Sequence, residues 1–423
     1  MALAAQKTGQ EGPDEAQRAA WGGPRPEPGT GDPATAHPYF RPEHEAIRQT
    51  VRQVVERYLK PHADEWERAG GFPKDVFRVL GEYGLLGLRC PPELGGAGLD
   101  WFATLAFVEE LHRCGMGGLS MGVMAHTEMA MPPILQFGTP EQHRRFLVDA
   151  IAGTSVLAIA MTEPEAGSDL AGIRTTARRV SGGWVLNGSK TFITNGAIAD
   201  RVLVAARTRP GDGHQGLSLF VVEREMPGFR TVRTIEKVGM HSSDTGELLF
   251  EECFVPEDHL IGEENRGFYH LMWELQGERL AIAAGVLSMA QQAFEQAMQY
   301  VQARHAFGQP IGRFQALQHR LADMAAELEA ARQLIYWAAW RFDRGLAAVK
   351  EIMMAKLVAA RTAFRVADEA MQMHGGYGYT MEFDVQRIWR DVRLYRIGGG
   401  TDEVLREIIA RELGLRPSRR AEP

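Results

Sequence analysis

The chain has 423 residues, 45% of them hydrophobic, which is enough for two or three packed units around one large core. Its formal net charge of −7 disfavours a nucleic-acid binder, since that class usually carries a basic balance. The cysteines Cys90, Cys114 and Cys253 form no zinc spacing and no disulfide framework, so we expect buried apolar residues there and no metal site.

The first 41 residues are predicted to be a disordered extension, because they are rich in Pro, Gly, Asp and Glu and hold little that packs. They lack the apolar core of a signal peptide, and their acidic residues argue against a transit peptide. No apolar run in the chain approaches the ~20 residues needed to cross a bilayer. These features predict a cytoplasmic protein without a membrane span.

Residues 42–158 show the residue spacing of packed helices. Ile47, Val51 and Val54 recur every three or four residues, as one buried helix face requires. A Gly-rich loop at 95–98 ends this first pattern. Further helices are predicted over residues 101–114 and 140–151.

Residues 159–264 change to a period of two, which is typical of strands. Apolar and β-branched runs separated by turns occur at residues 201–206, 217–222, 229–232 and 247–250. This pattern predicts a small antiparallel β domain in the middle of the chain.

Residues 265–423 return to a helical pattern, in which Leu280, Ala283 and Leu287 fall on one face. So much apolar helix surface is typical of a four-helix bundle or an oligomer interface. The sequence therefore predicts an α+β protein with an N-terminal helical domain, a middle antiparallel β domain and a C-terminal four-helix bundle.

Four segments carry residue types suited to binding a polar or nucleotide-like ligand. They are residues 160–169, 188–196, 304–311 with Gln315, and 372–379. The first offers hydroxyls and backbone amides, the second an aromatic ring beside hydroxyls, the third an Arg near a helix end, and the fourth glycines that allow close approach. Taken singly, each segment is also typical of an ordinary turn, hairpin or helix-breaking loop.

Together the four segments resemble the acyl-CoA dehydrogenase family, and the resemblance runs from about Pro42 to Leu413. The first and fourth segments match the family's two signature patterns. The resemblance implies an FAD-dependent enzyme of fatty acid β-oxidation that desaturates an acyl-CoA to a trans-2-enoyl-CoA. It also implies a homotetramer, a dimer of dimers, and an electron-transfer flavoprotein as electron acceptor.

The same resemblance assigns residues to the two ligands. Those implied for FAD are Ile159, Met161, Thr162, Ser168, Phe192, Thr194, Arg304, Phe307, Gln315, Gln372, Gly375, Gly376, Thr401, Asp402 and Glu403. Those implied for the acyl-CoA are Ser168, Tyr269, Gln276, Arg279, Gly399 and Gly400. Arg304 and Gln315 would reach the FAD of a neighbouring subunit.

The catalytic base is the position where this sequence departs from most of the family. Gly399 stands where most members carry a Glu, within the run Ile397-Gly398-Gly399-Gly400-Thr401. Isovaleryl-CoA and long-chain acyl-CoA dehydrogenases carry the base instead in a Glu-Arg-Leu sequence, which here is Glu278-Arg279-Leu280. We therefore predict that Glu278 takes the α-proton while flavin N5 takes the β-hydride. Glu274, one helical turn earlier, is the rival candidate.

The acyl chain and the reaction class leave alternatives open. Gly398 and Gly399 remove side-chain volume beside the reacting carbons, which favours a branched or bulky acyl chain, with straight medium or long chains close behind. An acyl-CoA oxidase, a non-dehydrogenating flavoprotein relative and a pure binding protein are the alternatives. Oxygen reactivity of the substrate-reduced flavin discriminates the oxidase, and bound flavin discriminates the binding protein.

Overall fold

A computed structural model describes residues 39–211 and 213–415 of the chain. The predicted disorder of residues 1–41 falls almost entirely outside this range. From Glu43 onward the described residues belong to one compact unit.

The N-terminal part is helical, as the periodicity predicts. Its helices are α1 (Pro42–Val54), α2 (Ala63–Ala69), α3 (Asp75–Glu82), α4 (Trp101–Leu111), α5 (Gly117–Met124), α6 (Met131–Phe137), α7 (Pro140–Phe146) and α8 (Val148–Ile151). Two helix starts follow from side-chain caps: Asp100 accepts hydrogen bonds from the first-turn amides of α4, and Thr139 with Gln142 forms a capping box on α7. Both caps satisfy amides that have no partner inside the helix.

The segment 117–137 is helical although no amphipathic pattern predicts it. A π-helical turn, Ala125–Ala130, joins α5 to α6 and inserts into an otherwise continuous helical run. Residues Gly117 to Ile134 are all buried. A helix that is apolar on every side shows no periodicity, which is why the sequence pattern misses it.

The middle part is a sheet of eight strands among the described residues. They are β1 (Leu157–Ala160), β2 (Thr176–Val180), β3 (Gly183–Thr194), β4 (Arg201–Arg207), β5 (Leu217–Glu223), β6 (Phe229–Thr234), β7 (Thr245–Pro256) and β8 (Leu260–Ile261). The order is β6-β7-β3-β2-β4-β5-β8, and β1 pairs with β4.

The sheet is mixed, where the sequence predicts an antiparallel one. Most neighbours are antiparallel, but β1 runs parallel to β4 and β2 meets the end of β4 in parallel. The long connection between β1 and β4, which contains the β2–β3 hairpin, gives the chain room to return in the same direction. The alternation of single strands carries no information about this return path.

The C-terminal part contains three long helices and two short ones in its described residues. They are α9 (Gly267–Ala303), α10 (Gln315–Asp343), α11 (Val349–His374), α12 (Val385–Val392) and α13 (Asp402–Glu412), with a small hairpin of β9 (His305–Ala306) and β10 (Gln309–Pro310) after α9. Helix α9 packs against α10 and α11 and also against α4 of the N-terminal part. Its predicted apolar face, with Leu280, Ala283 and Leu287, is buried.

The predicted α+β architecture of helical, sheet and helical parts is therefore confirmed. None of the helices in the described ranges is long and apolar enough to cross a membrane. All three cysteines are buried, as the sequence predicts.

Candidate functional site

Helix α9 carries two carboxylates, Glu274 and Glu278, one turn apart, and both are buried. Gly277 lies between them at the contact with α4. A Cβ atom at Gly277 would lie 2.9 Å from Cη2 of Trp101, so the glycine lets the indole ring close over this part of α9. Helix α4 thus packs closely on α9 at the residue between the two buried carboxylates.

The turn 398–400 meets Glu278 from the C-terminal side. Gly399 has a left-handed φ of +65°, and a Cβ atom there would lie 3.3 Å from Oε1 of Glu278. Gly399, the position predicted to correspond to the Glu of most family members, therefore faces the carboxylate that Glu278 supplies from α9. Residues 278 and 399 are therefore neighbours in the fold, although they lie 121 positions apart in the chain.

Two buried cations fix this turn. Arg279 Nε donates a hydrogen bond to the Gly399 carbonyl at 2.7 Å, and Lys356 Nζ donates to the Gly400 carbonyl at 2.6 Å. Arg279 is predicted to contact the acyl-CoA, whereas the structure shows it buried and holding the turn. Lys356 is not predicted from the sequence. The one sequence feature that could have revealed it is its place on the apolar face of α11, four positions after Ile352.

Burial and charge set the protonation of this cluster. Burial raises the pKa of Glu278, while Arg279, the Glu274 carboxyl and Lys356 oppose the rise. Burial and the neighbouring Glu278 charge raise the pKa of Glu274 well above its usual value. Burial also lowers the pKa of Lys356 to about 8. Two adjacent buried carboxyls cannot both ionise readily, so Glu274 retains its proton more strongly than Glu278.

The loop after β1 is held against β3 by a buried ion pair. Lys190 Nζ donates to Glu163 Oε1 at 2.7 Å and to the Met161 carbonyl at 3.0 Å. Both side chains of the pair are almost fully buried. The Thr175 amide N–H also donates to Glu163 Oε1, at 2.9 Å. The shape of the loop is therefore fixed from inside the protein.

A main-chain hydrogen bond aligns the same loop with β3. The Thr191 amide donates to the Thr162 carbonyl at 2.9 Å. This contact and the Lys190 contacts bring two predicted cofactor residues of the loop next to two predicted ones of the strand. They are Met161 and Thr162 in the loop, and Phe192 and Thr194 in the strand.

Phe192 has the features expected of a residue that faces a flat ligand. Its side chain is 65% exposed and its φ is +59°, a strained conformation for a residue with a side chain. The β3–β7 register shifts between Lys190 and Ile193, so the strand bulges at this ring. An exposed aromatic ring beside loop carbonyls and hydroxyls fits a flavin ring system, which presents a flat face and a polar edge. Ile159 is buried within β1, and Ser168 is exposed in the loop.

A second cluster joins the hairpin after α9 to the end of α11. The Arg304 guanidinium lies 6.0 Å from the ring centre of Tyr377, next to the predicted residues Gln372, Gly375 and Gly376. Phe307 at the hairpin tip is 94% exposed, and Gln315 is exposed at the start of α10. Because an α-helix rises ~1.5 Å per residue, Arg304 at the end of α9 lies roughly 40 Å along the helix from Glu278.

The remaining predicted residues fall at the start of α13 and the start of α9. Thr401 caps α13, Glu403 is exposed, and Asp402 is buried and accepts two hydrogen bonds from Arg396, at 3.0 and 2.8 Å. Asp402 therefore serves the local fold here. Tyr269 is half-exposed beneath the Arg266 guanidinium. Gln276 donates to a carbonyl of its own helix at 3.5 Å.

The chain matches a known family along nearly the whole of its described length. The N-terminal domain of acyl-CoA dehydrogenases matches residues 41–154, the middle domain residues 158–253, and the C-terminal domain residues 265–414. The mitochondrial isovaleryl-CoA dehydrogenase of Solanum tuberosum is 40% identical over 377 residues, which cover 88% of this chain and 91% of that protein. The chain belongs to the acyl-CoA dehydrogenase family of oxidoreductases.

Other relatives show how widely the similarity extends. The mitochondrial long-chain specific acyl-CoA dehydrogenase of Mus musculus is 40% identical over 384 residues, covering 88% of this chain and 87% of that protein. A crystal structure of an acyl-CoA dehydrogenase from Geobacillus kaustophilus has a TM-score of 0.87 and 41% identity, covering 89% of this chain and 100% of that one. PigA with FAD and proline has a TM-score of 0.87 and 30% identity, covering 90% and 100% of the two chains.

Proposed function

We propose that this protein is an FAD-dependent acyl-CoA dehydrogenase in which Glu278 removes the α-proton of a CoA thioester. The observation that carries the proposal is the Glu278 carboxylate, whose Oε1 faces Gly399, the position where most of the family carries a Glu. A carboxylate in a closed apolar site is a stronger base than one in water, because burial disfavours its charged form. The chain thus has a base of raised pKa at the expected point.

The surrounding residues orient this base and exclude water. Glu278 is buried, Trp101 packs against the adjacent Gly277, and the carbonyl contacts of Arg279 and Lys356 hold the glycine turn in place. The same two cations favour the ionised form of Glu278, which is the form able to take a proton. Bound FAD would supply the hydride acceptor. Phe192, Met161, Thr162 and Thr194 would hold its ring system. PigA, a similar protein solved with FAD, supports FAD as the cofactor.

The acyl chain is proposed to be branched or bulky, or of medium to long straight form. Gly398 and Gly399 add no side-chain volume at the turn. A Cβ atom at Gly398 would make only ordinary van der Waals contact with Leu394, at 3.8 Å. The relatives named as isovaleryl-CoA and long-chain specific dehydrogenases support these two substrate classes equally.

We further propose a homotetramer and an electron-transfer flavoprotein as electron acceptor. Arg304 and Phe307 lie beyond the far end of α9, too distant to serve the site around Glu278 of their own subunit, as expected if they complete a neighbour's cofactor site. The exposed rings of Phe307 and Tyr379 support burial against another subunit. A similar chain, of 38% identity and TM-score 0.87, was solved in work on the electron transferring flavoprotein of Acidaminococcus fermentans. Both plant and mouse relatives are named mitochondrial, so a cytoplasmic location stays a prediction.

An anaerobic absorbance titration of the purified holoprotein tests this function. Butyryl-, isovaleryl-, citronellyl-, octanoyl- and palmitoyl-CoA are added in turn, and bleaching of the flavin band is recorded. We expect at least one of the longer or branched thioesters to bleach the flavin, which would also rank the acyl chains. Bound flavin that none of them reduces would contradict the proposed dehydrogenation. Rapid reoxidation by oxygen after bleaching would favour the oxidase instead.

A further inference from the structure

Three buried carboxylate oxygens in the site have no hydrogen-bond partner among the described residues. They are both oxygens of Glu274 and Oε2 of Glu278. An ionised carboxylate only accepts hydrogen bonds, and a buried charge without a donor is strongly unfavourable. The two groups therefore cannot both be ionised in this arrangement, and one proton between them removes the conflict.

The positions of the two carboxyl groups indicate which of them holds the proton and which oxygen accepts the resulting hydrogen bond. Glu274 lies one turn before Glu278 on the same face of α9. Of the two Glu278 oxygens, Oε1 faces the turn at Gly399, whereas Oε2 is the buried one without a partner. A protonated Glu274 carboxyl has an O–H group. This group can donate a hydrogen bond to Oε2 of Glu278.

We propose, on the basis of the proposed function, that Glu274 is a neutral positioning residue whose carboxyl O–H donates to Oε2 of Glu278. This hydrogen bond fixes the Glu278 carboxylate and leaves Oε1 directed towards the turn, where the α-carbon of the thioester would lie. The two carboxyl groups then have different roles: Glu274 orients, and Glu278 takes the proton.

The charges around the pair favour this division. Glu278 faces Arg279 on its own helix and Lys356 on α11, and both favour its ionised form. From α4 the uncharged Trp101 packs against Gly277 between the two carboxyls, and from the turn the neighbour of Glu278 is the backbone of Gly399. On Glu274, burial and the Glu278 charge act together against ionisation, with Arg279 alone opposing them. Asp402 faces Lys356 and is paired with Arg396.

The test compares Glu274→Leu with Glu274→Gln in the FAD-loaded enzyme. The rate of anaerobic flavin reduction is measured against pH, with the thioester that bleaches the flavin fastest in the titration. Leu removes the donor, so the pKa of Glu278 rises and the base ionises only at higher pH. We expect the acid limb of the rate profile to move up by about one pH unit. At pH values on the acid side of the limb, the rate of flavin reduction is then about tenfold lower than in wild type. Thioester affinity should change little.

Glu274→Gln keeps an N–H donor and should bring the acid limb back towards its wild-type position. Glu274→Met is a second apolar variant with a flexible side chain that adapts to the space left by the carboxyl. Glu295→Gln is the matched control on α9, since Glu295 pairs with Arg113 away from the site, and its profile should not move. FAD content confirms that each variant is loaded.

If the acid limb of the pH–rate profile lies at its wild-type position in both Glu274→Leu and Glu274→Met, Glu274 has no positioning role. Glu278 would then still be the proposed base. Loss of flavin reduction in Glu274→Gln, with reduction retained in Glu278→Gln, would instead overturn the proposed function, because it would make Glu274 the base. The two failures are therefore distinguishable.

Discussion

The site around Glu278 depends on two buried cations, Arg279 and Lys356, which each donate to a backbone carbonyl of the glycine turn. A buried cation is stable only when hydrogen-bonded or paired, and these contacts meet that need. Their charge also lowers the pKa of Glu278 against the effect of burial. Arg279 and Lys356 thus both fix the turn and favour ionisation of Glu278, the proposed base.

Substitution of Lys356 separates these two effects. In Lys356→Met the cation is lost, so the pKa of Glu278 rises and flavin reduction needs a higher pH. We expect the acid limb of the reduction rate to move up by at least roughly half a pH unit, the effect of one charge in a partly screened site. Lys356→Arg keeps the positive charge, so it should move the acid limb less than Lys356→Met does. Equal profiles for Met and wild type would show that Lys356 only supports the turn.

The sequence singles out Glu278 as the candidate base because its Glu-Arg-Leu run has a recognisable form and Gly399 stands where a Glu is expected, and this assignment stays a prediction. It could not predict Lys356, because a lysine on an otherwise apolar helix face looks the same whether it faces solvent or a partner group. The convergence of positions 278 and 399 needed the packing of α9 against the turn. That long-range contact leaves no local pattern.

At the scale of elements, α9 connects the helical parts and carries the proposed base. Its contact with α4 depends on Gly277, where a Cβ would lie 2.9 Å from the Trp101 ring. The ring cannot withdraw easily, since the Arg89 guanidinium lies 3.9 Å from its centre on one side and Phe342 packs at 5.2 Å. The position of Glu278 therefore depends on how closely these two helices approach.

We predict that Gly277→Ala separates α4 from α9 and lowers both stability and flavin reduction. Overpacking of this kind costs about 1–3 kcal/mol of unfolding free energy. The rate should fall at every pH, because the carboxylate is displaced and its pKa is not the main change. Gly71→Ala is the control, since a Cβ there meets nothing within 4 Å. Denaturant unfolding and stopped-flow reduction measure the two effects, and an unchanged Gly277→Ala protein would contradict the packing argument.

Helices and strands could be predicted where the sequence has an amphipathic helix face or a short apolar run between turns. They could not be predicted where a helix is buried on all sides, because such a helix shows no hydrophobic periodicity. Helix α1 follows its spacing, since Val51 and Val54 are buried on one face. Strands β4 and β5 are short apolar, β-branched runs bounded by turns. Helices α5 and α6 are buried almost all round, so their residues show no period. The parallel pairing of β1 with β4 depends on chain return over a distance, which strand patterns do not encode.

At the scale of the whole molecule, Asp391 on α12 joins the three parts. Its carboxylate accepts hydrogen bonds from the Gly117 amide of α5 at 3.2 Å and from the Met240 amide, between β6 and β7, at 2.6 Å. Burial, with the Glu67 charge as the next cause, raises the pKa of Asp391 to about 7. The folded protein therefore binds a proton here between about pH 4 and pH 7 that the unfolded chain releases.

This linkage makes the stability contribution of Asp391 dependent on pH. A raised folded pKa means that stability falls as pH rises through this window. Because Asn does not titrate, Asp391→Asn should be more destabilising at about pH 5.5 than at about pH 8.5, by about 2 kcal/mol. Asp368→Asn is the control, since that exposed carboxylate accepts only a Trp389 hydrogen bond at 2.9 Å among the contacts described. Chemical denaturation at both pH values decides, and a pH-independent penalty would contradict the linkage.

The measurement that tests the central claim most directly is the anaerobic rate of flavin reduction in Glu278→Gln. The substitution keeps the shape of the side chain and removes the base. With FAD content equal to wild type, we expect the rate to fall by at least about a thousandfold, in line with the contribution of a general base. Thioester binding should persist. A flavin reduced at a rate within about tenfold of wild type would contradict the assignment of Glu278 and move the base elsewhere.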